Sequence, residues 1–581
     1  MRPSCGSNLS RSLPTSIVKS DKKTIMASLA PKTGVLGQQA AAHLLRRTTF
    51  HPSKTLIDVY ATKTVSQAMN DLMTEQPLTN PIPIAYDTGQ PWINAETGLR
   101  YLVDTDPAFA TALTNGQLHW SLRGWWIDEA RLDQTALSKF VFFLHSIWVV
   151  NIGSEGPPEE AWDYLRLLRY IGFGSYKALA KKMSIDNQML RYLDNNANTD
   201  DNPNENYARE FLELFTIGKG PQIGEGDYTN YQEADVSEGA KLLTGWRNRG
   251  RTTQIITADP ETGIPCGYPT LSRHETSDKT FSSAFNNQTI VGATAVDDIE
   301  RELNDYIAMV FNQDETARTI VRRMYQYYVS RNITAEIETD IIEPLATVLR
   351  DGDYVMEPVL RQLWSSVHFY DEDDSDSNDE IIGSIIKSPM EKVLQTLNYF
   401  QVTIPDAVTD SYNHYRQFYK RCFIDTFGDK GGMNIFRPTN VAGYPAYYQT
   451  PVFQRSWFNS STIVSRYKLP QQLLEGKRLI LGGDLGTVQF HIVPFIANSG
   501  FFTDPADAQT LVNELTDYLF CKPLSTERRQ YFVDQLTGDF DEEYWANLWL
   551  YYANTYDEDE VKNPLENLFK ALLYSPEFQV M

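Results

Sequence analysis

Residues 202–218 read NPNENYAREFLELFTIG, a string that holds a full set of helix signals. Asn202 suits the N-cap, Pro203 the first helical position, and Glu205 the third, from which a carboxylate reaches back to the cap amide. Gly218 suits the stop. Between these ends Tyr207, Phe211, Leu214 and Phe215 recur at helical spacing on one face, while Glu205, Asn206, Arg209, Glu210 and Glu213 gather on the other. The polar face admits two readings. In one, Glu205, Arg209 and Glu213 are successive four-residue neighbours, and the arginine bridges two carboxylates on a solvated or interdomain surface. In the other the helix is central, and its charged face lines a cavity that binds a cation or a polar ligand.

Outward from that string, 581 residues at 42% hydrophobic content are enough for two or three substructures. Seventy-five Asp and Glu against 52 Lys and Arg argue against nucleic acid or an anionic membrane as the main partner, because phosphate attraction needs clustered positive charge. Cys5, Cys266, Cys422 and Cys521 lie far apart with no Cys-x-x-Cys spacing, which indicates neither a zinc knuckle nor a disulfide framework. The first 32 residues are rich in Ser, Lys and Pro and lack the apolar run of a secretory signal, so residues 1–35 are expected to form a disordered arm. No transmembrane segment is expected: the most apolar run, Phe140 to Val150, is too short and contains His145 and Ser146.

From Gly37 the apolar residues fall into helical period. A Thr64-x-x-Gln67 box opens a further helix, and a long helical stretch from about Pro107 to Val150 carries Trp120, Trp125, Trp126 and Trp148. Aromatics this dense at helical spacing point to core, and His145 inside the run needs a buried partner. Ser184-x-x-Asn187 and Asn230-x-x-Glu233 are read as further helix starts. From Arg247 to Asn287 the period dissolves into Gly, Pro and Thr, with His274, Glu275 and Lys279 in a polar loop or short hairpin, the segment in which function is expected. The acidic run 371–380 fails the calcium-loop register, since Asp376 stands where a Gly is needed and Ile382 where a Glu is needed. It reads as a solvated linker dividing a main helical domain, 36–370, from a C-terminal helical part, 381–581. Ser388 to Glu391 caps another helix, and Gly428 to Tyr448 is an aromatic loop whose Tyr444 and Tyr447 either stack on sugar rings or a partner, or pack the loop itself. The expected fold is all-α, an irregular multi-helix assembly with long loops and room for one small hairpin.

The ordered motifs Ala41-to-Phe50 (AAHLLRRTTF), Leu190-to-Asn195 (LRYLDN), Asn204-to-Glu210 (NENYARE), Leu243-to-Trp246 (LTGW) and Asn440-to-Pro445 (NVAGYP) resemble the large bacterial family catalogued as domain of unknown function 1800, from about Gly37 to the C-terminus. The resemblance implies a mostly helical protein of the cell envelope or secreted space, and a partner with a sulfatase-like fold encoded beside it. His145 falls where the family has the first histidine of a His-Asn-His pattern, and His274 with Lys279 where it has His-Asp followed by Lys. Three positions depart from the pattern: Ile147 replaces the second histidine, Glu275 the aspartate, and His51 a glycine before Pro52. Without the second histidine, a zinc site at His145 and His274 would need a carboxylate such as Glu210. Otherwise each histidine is a hydrogen-bonded core or loop residue.

Two function classes follow. One is a hydrolase-like or metal-assisted enzyme whose polar cavity joins His145, Glu205, Arg209, Glu210 and His274. The other, the favoured one, is a non-catalytic envelope or carbohydrate-binding scaffold, with Asn204, Asn206, Glu213, Lys279, Tyr444 and Tyr447 as ligand contacts. No Gly-x-Ser-x-Gly elbow, P-loop or His-Glu-x-x-His pattern points to a named enzyme, and no metal or cofactor is assigned.

Overall fold

The structure, a computed structural model, describes residues 27–74, 82–94, 98–101, 106–153, 156–248, 258–373, 381–475 and 488–581. Most of the expected arm and residues 374–380 of the expected linker lie outside these. Helices dominate, as the periodicity predicts. The named strands form two short antiparallel ribbons, where the sequence suggested one: Trp246–Arg247 pairs with Tyr268–Pro269, and Lys279–Thr280 with Thr289–Ile290. Among the described residues no helix is long and apolar enough to cross a membrane.

Local chemistry sets the helix starts. The Thr64 box forms as read, with the Thr64 amide donating to Gln67 Oε1 at 2.9 Å, and so does the Ser388 box, whose amide donates to Glu391 Oε2 at 2.7 Å. Elsewhere nearer groups take over. The helix Asn187–Tyr192 is capped by Asp186, not Ser184, and Glu233–Leu242 begins at Gln232, whose amide donates to Asp235. Asn230 instead donates to the carbonyls of Ile217 and Gly218, closing off the preceding turn. The 202–218 string also starts later than expected. Asn204 is the cap, accepting from the Asn206 amide, and only Glu205–Glu210 is α-helical before a π-turn, Phe211–Phe215. Gly218, at φ 72°, ends it.

The centre of the molecule belongs to two other helices. Leu137–Ile147 and Pro389–Tyr399 are buried along their whole lengths, and they are joined by an ion pair of 2.8 Å between Lys139 and Glu391. Around them one cluster of buried apolar side chains extends from Ala27 to Phe578. The first helix, Gly37–Thr48, sends Arg46 to the carbonyls of Tyr518 and Phe520 and Arg47 to those of Val329 and Ile381. A long π-helix, Tyr412–Asp429, lies against the helix Asn115–Leu132. Because π geometry widens the turn, His414 and Tyr419, five residues apart, share one face and both bond Asp128, at 3.0 and 2.6 Å.

Candidate functional site

The residues singled out from sequence fall into separate networks. At the rim, Arg209 bonds Glu205, as spacing predicts, and also Glu233 of the next helix. Glu213 does not join them. The π-turn rotates it away from the four-residue position, and it pairs instead with Lys219 at 2.6 Å and accepts from the Tyr231 hydroxyl. Arg209, Glu205 and Glu233 are 33%, 42% and 46% exposed, so each contact is individually weak. Glu210 is half-buried, and burial together with Glu213 pushes its carboxyl up to about 7. Asn204 is spent on its cap, and Asn206 donates to the Leu193 carbonyl.

His274 and Lys279 do meet, on a carboxylate the sequence did not mark. Glu302 of the helix Val296–Phe311 lies 3.2 Å from His274 Nε2 and 2.7 Å from Lys279 Nζ, and all three side chains are fully enclosed. His274 Nδ1 is 2.8 Å from the Thr244 carbonyl. With every member bonded and no exposed atom, the triad pins the second ribbon to that helix. His145 occupies a third network. Tyr164 must spend its one proton on the Trp148 carbonyl, at 2.6 Å, so the bond of 2.8 Å between His145 Nδ1 and the Tyr164 oxygen is donated by the imidazole. Burial holds His145 neutral, pushing it down to about 3, and its Nε2 faces rings of Phe436 and Phe142 without a hydrogen-bond partner. Among the described residues His145, Glu210 and His274 belong to separate networks. Among the described residues no group of three or more His, Cys, Asp or Glu is placed to hold a metal ion.

The aromatic loop turns inward. Tyr444 is buried and donates to the Asn434 carbonyl, while Tyr447 packs against Tyr327 and Trp457. Gly443, at φ 89°, lets the turn approach Ser146 and Val149, where a Cβ would lie 3.0 Å from each.

An open recess lies elsewhere, in a region sequence reasoning passed over. Between the helices Thr526–Thr537 and Asp559–Tyr574 runs a groove of about 710 Å³, bordered by Tyr531, Asp534, Gln535, Asn567, Lys570 and Tyr574. It shares Gln535, Gly538, Asp539 and Asn567 with a second recess of about 270 Å³ that reaches Phe540 and Tyr544. Tyr531, Phe540 and Tyr544 are 42%, 61% and 40% exposed, and the last two stack at 4.2 Å. Arg528 is committed to Glu577 and Lys570 pairs with Glu566, which leaves Asp534, Asp539, Asp559 and Glu560 to set an acidic rim. One signal was present: in the helix Glu542–Thr555, Trp545, Trp549 and Tyr552 fill the buried face at spacings of four and three. Tyr544 and Tyr551, seven apart, are therefore left on the other.

A family model described as a protein of unknown function (DUF1800) covers residues 43–580. No curated protein and no solved structure matches the chain.

Proposed function

For a chain that belongs to the DUF1800 family of proteins of unknown function, we propose a role as a non-catalytic helical scaffold that holds a neutral polysaccharide in the groove beside Tyr531 and Tyr544. The observation that carries this reading is the coexistence, in one open channel, of exposed rings with planar acceptors and donors. A sugar offers flat C–H faces to rings and hydroxyls to side chains such as Asp534, Gln535, Asp539 and Asn567. Tyrosine supplies that contact area with only two torsions to immobilise. The acidic rim disfavours an anionic polymer by like-charge repulsion and leaves a neutral one as the fitting occupant. A cell-envelope setting and a sulfatase-like partner, which the family resemblance implies, are part of the same proposal.

The test is binding to insoluble neutral polysaccharides and to a neutral glycan array. Tyr531→Ala with Tyr544→Ala removes two partly exposed rings, of which Tyr531 meets the buried Phe532 edge-on, and the expected outcome is a folded protein, checked by circular dichroism, whose affinity falls by about tenfold or more, near 1.4 kcal/mol. A wild-type protein that retains no neutral glycan, or a double variant that binds equally well, overturns the reading.

A further inference from the structure

In a chain with a net charge of −23, carboxylates are abundant, and a buried arginine without one is a feature to be explained. Two arginines without one, Arg123 buried and Arg437 half-buried, meet at one turn. Arg123, 3% exposed on the helix Asn115–Leu132, gives one Nη2 bond of 3.0 Å to Asn434 Oδ1, and its Nε is buried without a partner. Arg437 closes the same turn, its amide donating to the Asn434 carbonyl at 2.8 Å, and its Nε bonds Asn151 at 3.3 Å. Among the described residues neither guanidinium has an ion-pair partner. Burial, with Arg437 as the next cause, pushes Arg123 down to about 10, which places the two cations within each other's field.

The surroundings point the same way. Gly153 lies so close beneath Arg437 that a Cβ there would sit 2.4 Å from its Nε, so the backbone leaves the guanidinium room to lie across the loop. His119, one turn before Arg123, is 3% exposed, and its Nε2 has no partner. Burial and the charges of Arg123, Arg100 and Arg437 push His119 down to about 4, so at neutral pH it is an uncharged ring able to donate from Nε2. Arg100 is neutralised by Glu159, and Asp425 and Asp429 reach Arg123 only through space. The locale thus keeps two uncompensated positive charges and two idle nitrogens, a donor set that matches a tetrahedral oxyanion.

We propose that Arg123, Arg437, His119 and Asn434 form an anion site that takes phosphate or sulfate, free or as an ester on a larger molecule. The site is separate from the C-terminal groove and independent of the glycan reading.

The experiment is calorimetric titration of the full chain with inorganic phosphate and with sulfate, at ionic strength held constant with chloride. Saturable binding of both, weakened at least tenfold in Arg437→Gln, is expected. Arg437 is only half-buried, so its loss leaves the core intact, and unchanged circular dichroism checks this. Arg437→Lys, which keeps the charge but loses the fork, should fall between the two. No saturable binding, or equal affinity in wild type and Arg437→Gln, overturns the proposal. Glycerol phosphate is the second arm: affinity at or above that of inorganic phosphate places the group on an ester, and rejection of it limits the site to the free anion. Either result upholds the oxyanion assignment.

Discussion

Asp186 shows what a single buried carboxyl does to this protein. It caps the helix Asn187–Tyr192 through a bond of 2.8 Å to the Met189 amide, yet burial, aided by Glu160, pushes it up to about 7. A folded-state value above the unfolded one makes the group stabilising below about pH 4, and that contribution is lost as pH rises through 7. Asp186→Asn keeps a capping oxygen and cannot ionise. Urea unfolding should therefore show the variant level with wild type at pH 4 and more stable by roughly 2–4 kcal/mol at pH 8. An offset that is the same at both pH values would contradict this. At this scale the sequence was a partial guide. His274 and Lys279 stood out by residue type, but Glu302, which joins them, is one acid among 75 and became distinguishable only when tertiary folding carried its helix against the ribbon. Tyr444 was marked for its ring and proved to be core, because a loop's aromatic residues do not announce which way the backbone will turn them.

Between residues and molecule, the π-helix Tyr412–Asp429 is the element with the clearest consequence. Burial works against an ionised Asp128, but the bonds from His414 and Tyr419 and the charge of Arg131 outweigh it and hold the carboxyl down to about 2. A folded-state value below the unfolded one gives stability that is present above about pH 4 and lost as pH falls toward 2. Tyr419→Phe removes one of the two clamp bonds. It should lower stability at pH 7 by about 1–3 kcal/mol, and by less at pH 3, in denaturant titrations at the two values. An equal loss at both would mean that the hydroxyl acts by packing and not on the charge. Helix existence was legible from apolar period and capping boxes; helix winding was not. Glu213 was placed opposite Arg209 by a count of 3.6 residues per turn, and the π-turn at Phe211–Phe215 invalidates that count without leaving any mark in residue type.

For the molecule as a whole, class and family could be read from the string, but the long-range ties could not. Lys139 and Glu391 are 1% and 6% exposed, and each belongs to a helix buried throughout. Glu391→Gln leaves the ammonium without its charge partner and should cost about 3–5 kcal/mol. Since the pair links the stretches before and after residues 374–380, calorimetry should record one transition moving as a unit; two transitions, only one of them displaced, would show that the stretches unfold separately. Arg46 and Arg47 carry the same linkage through time. Their helix uncovers eight buried residues, from Ala41 to Thr48, as soon as it leaves the ribosome. The carbonyls that receive Arg46, however, stand 472 and 474 positions downstream. At a synthesis rate of about 5–20 residues per second, the nascent helix waits roughly half a minute to a minute and a half for them. During that interval its apolar face and its two arginines lack their partners, so slowed translation is expected to lower the yield of folded protein in a cell-free synthesis, and an unchanged yield would contradict this.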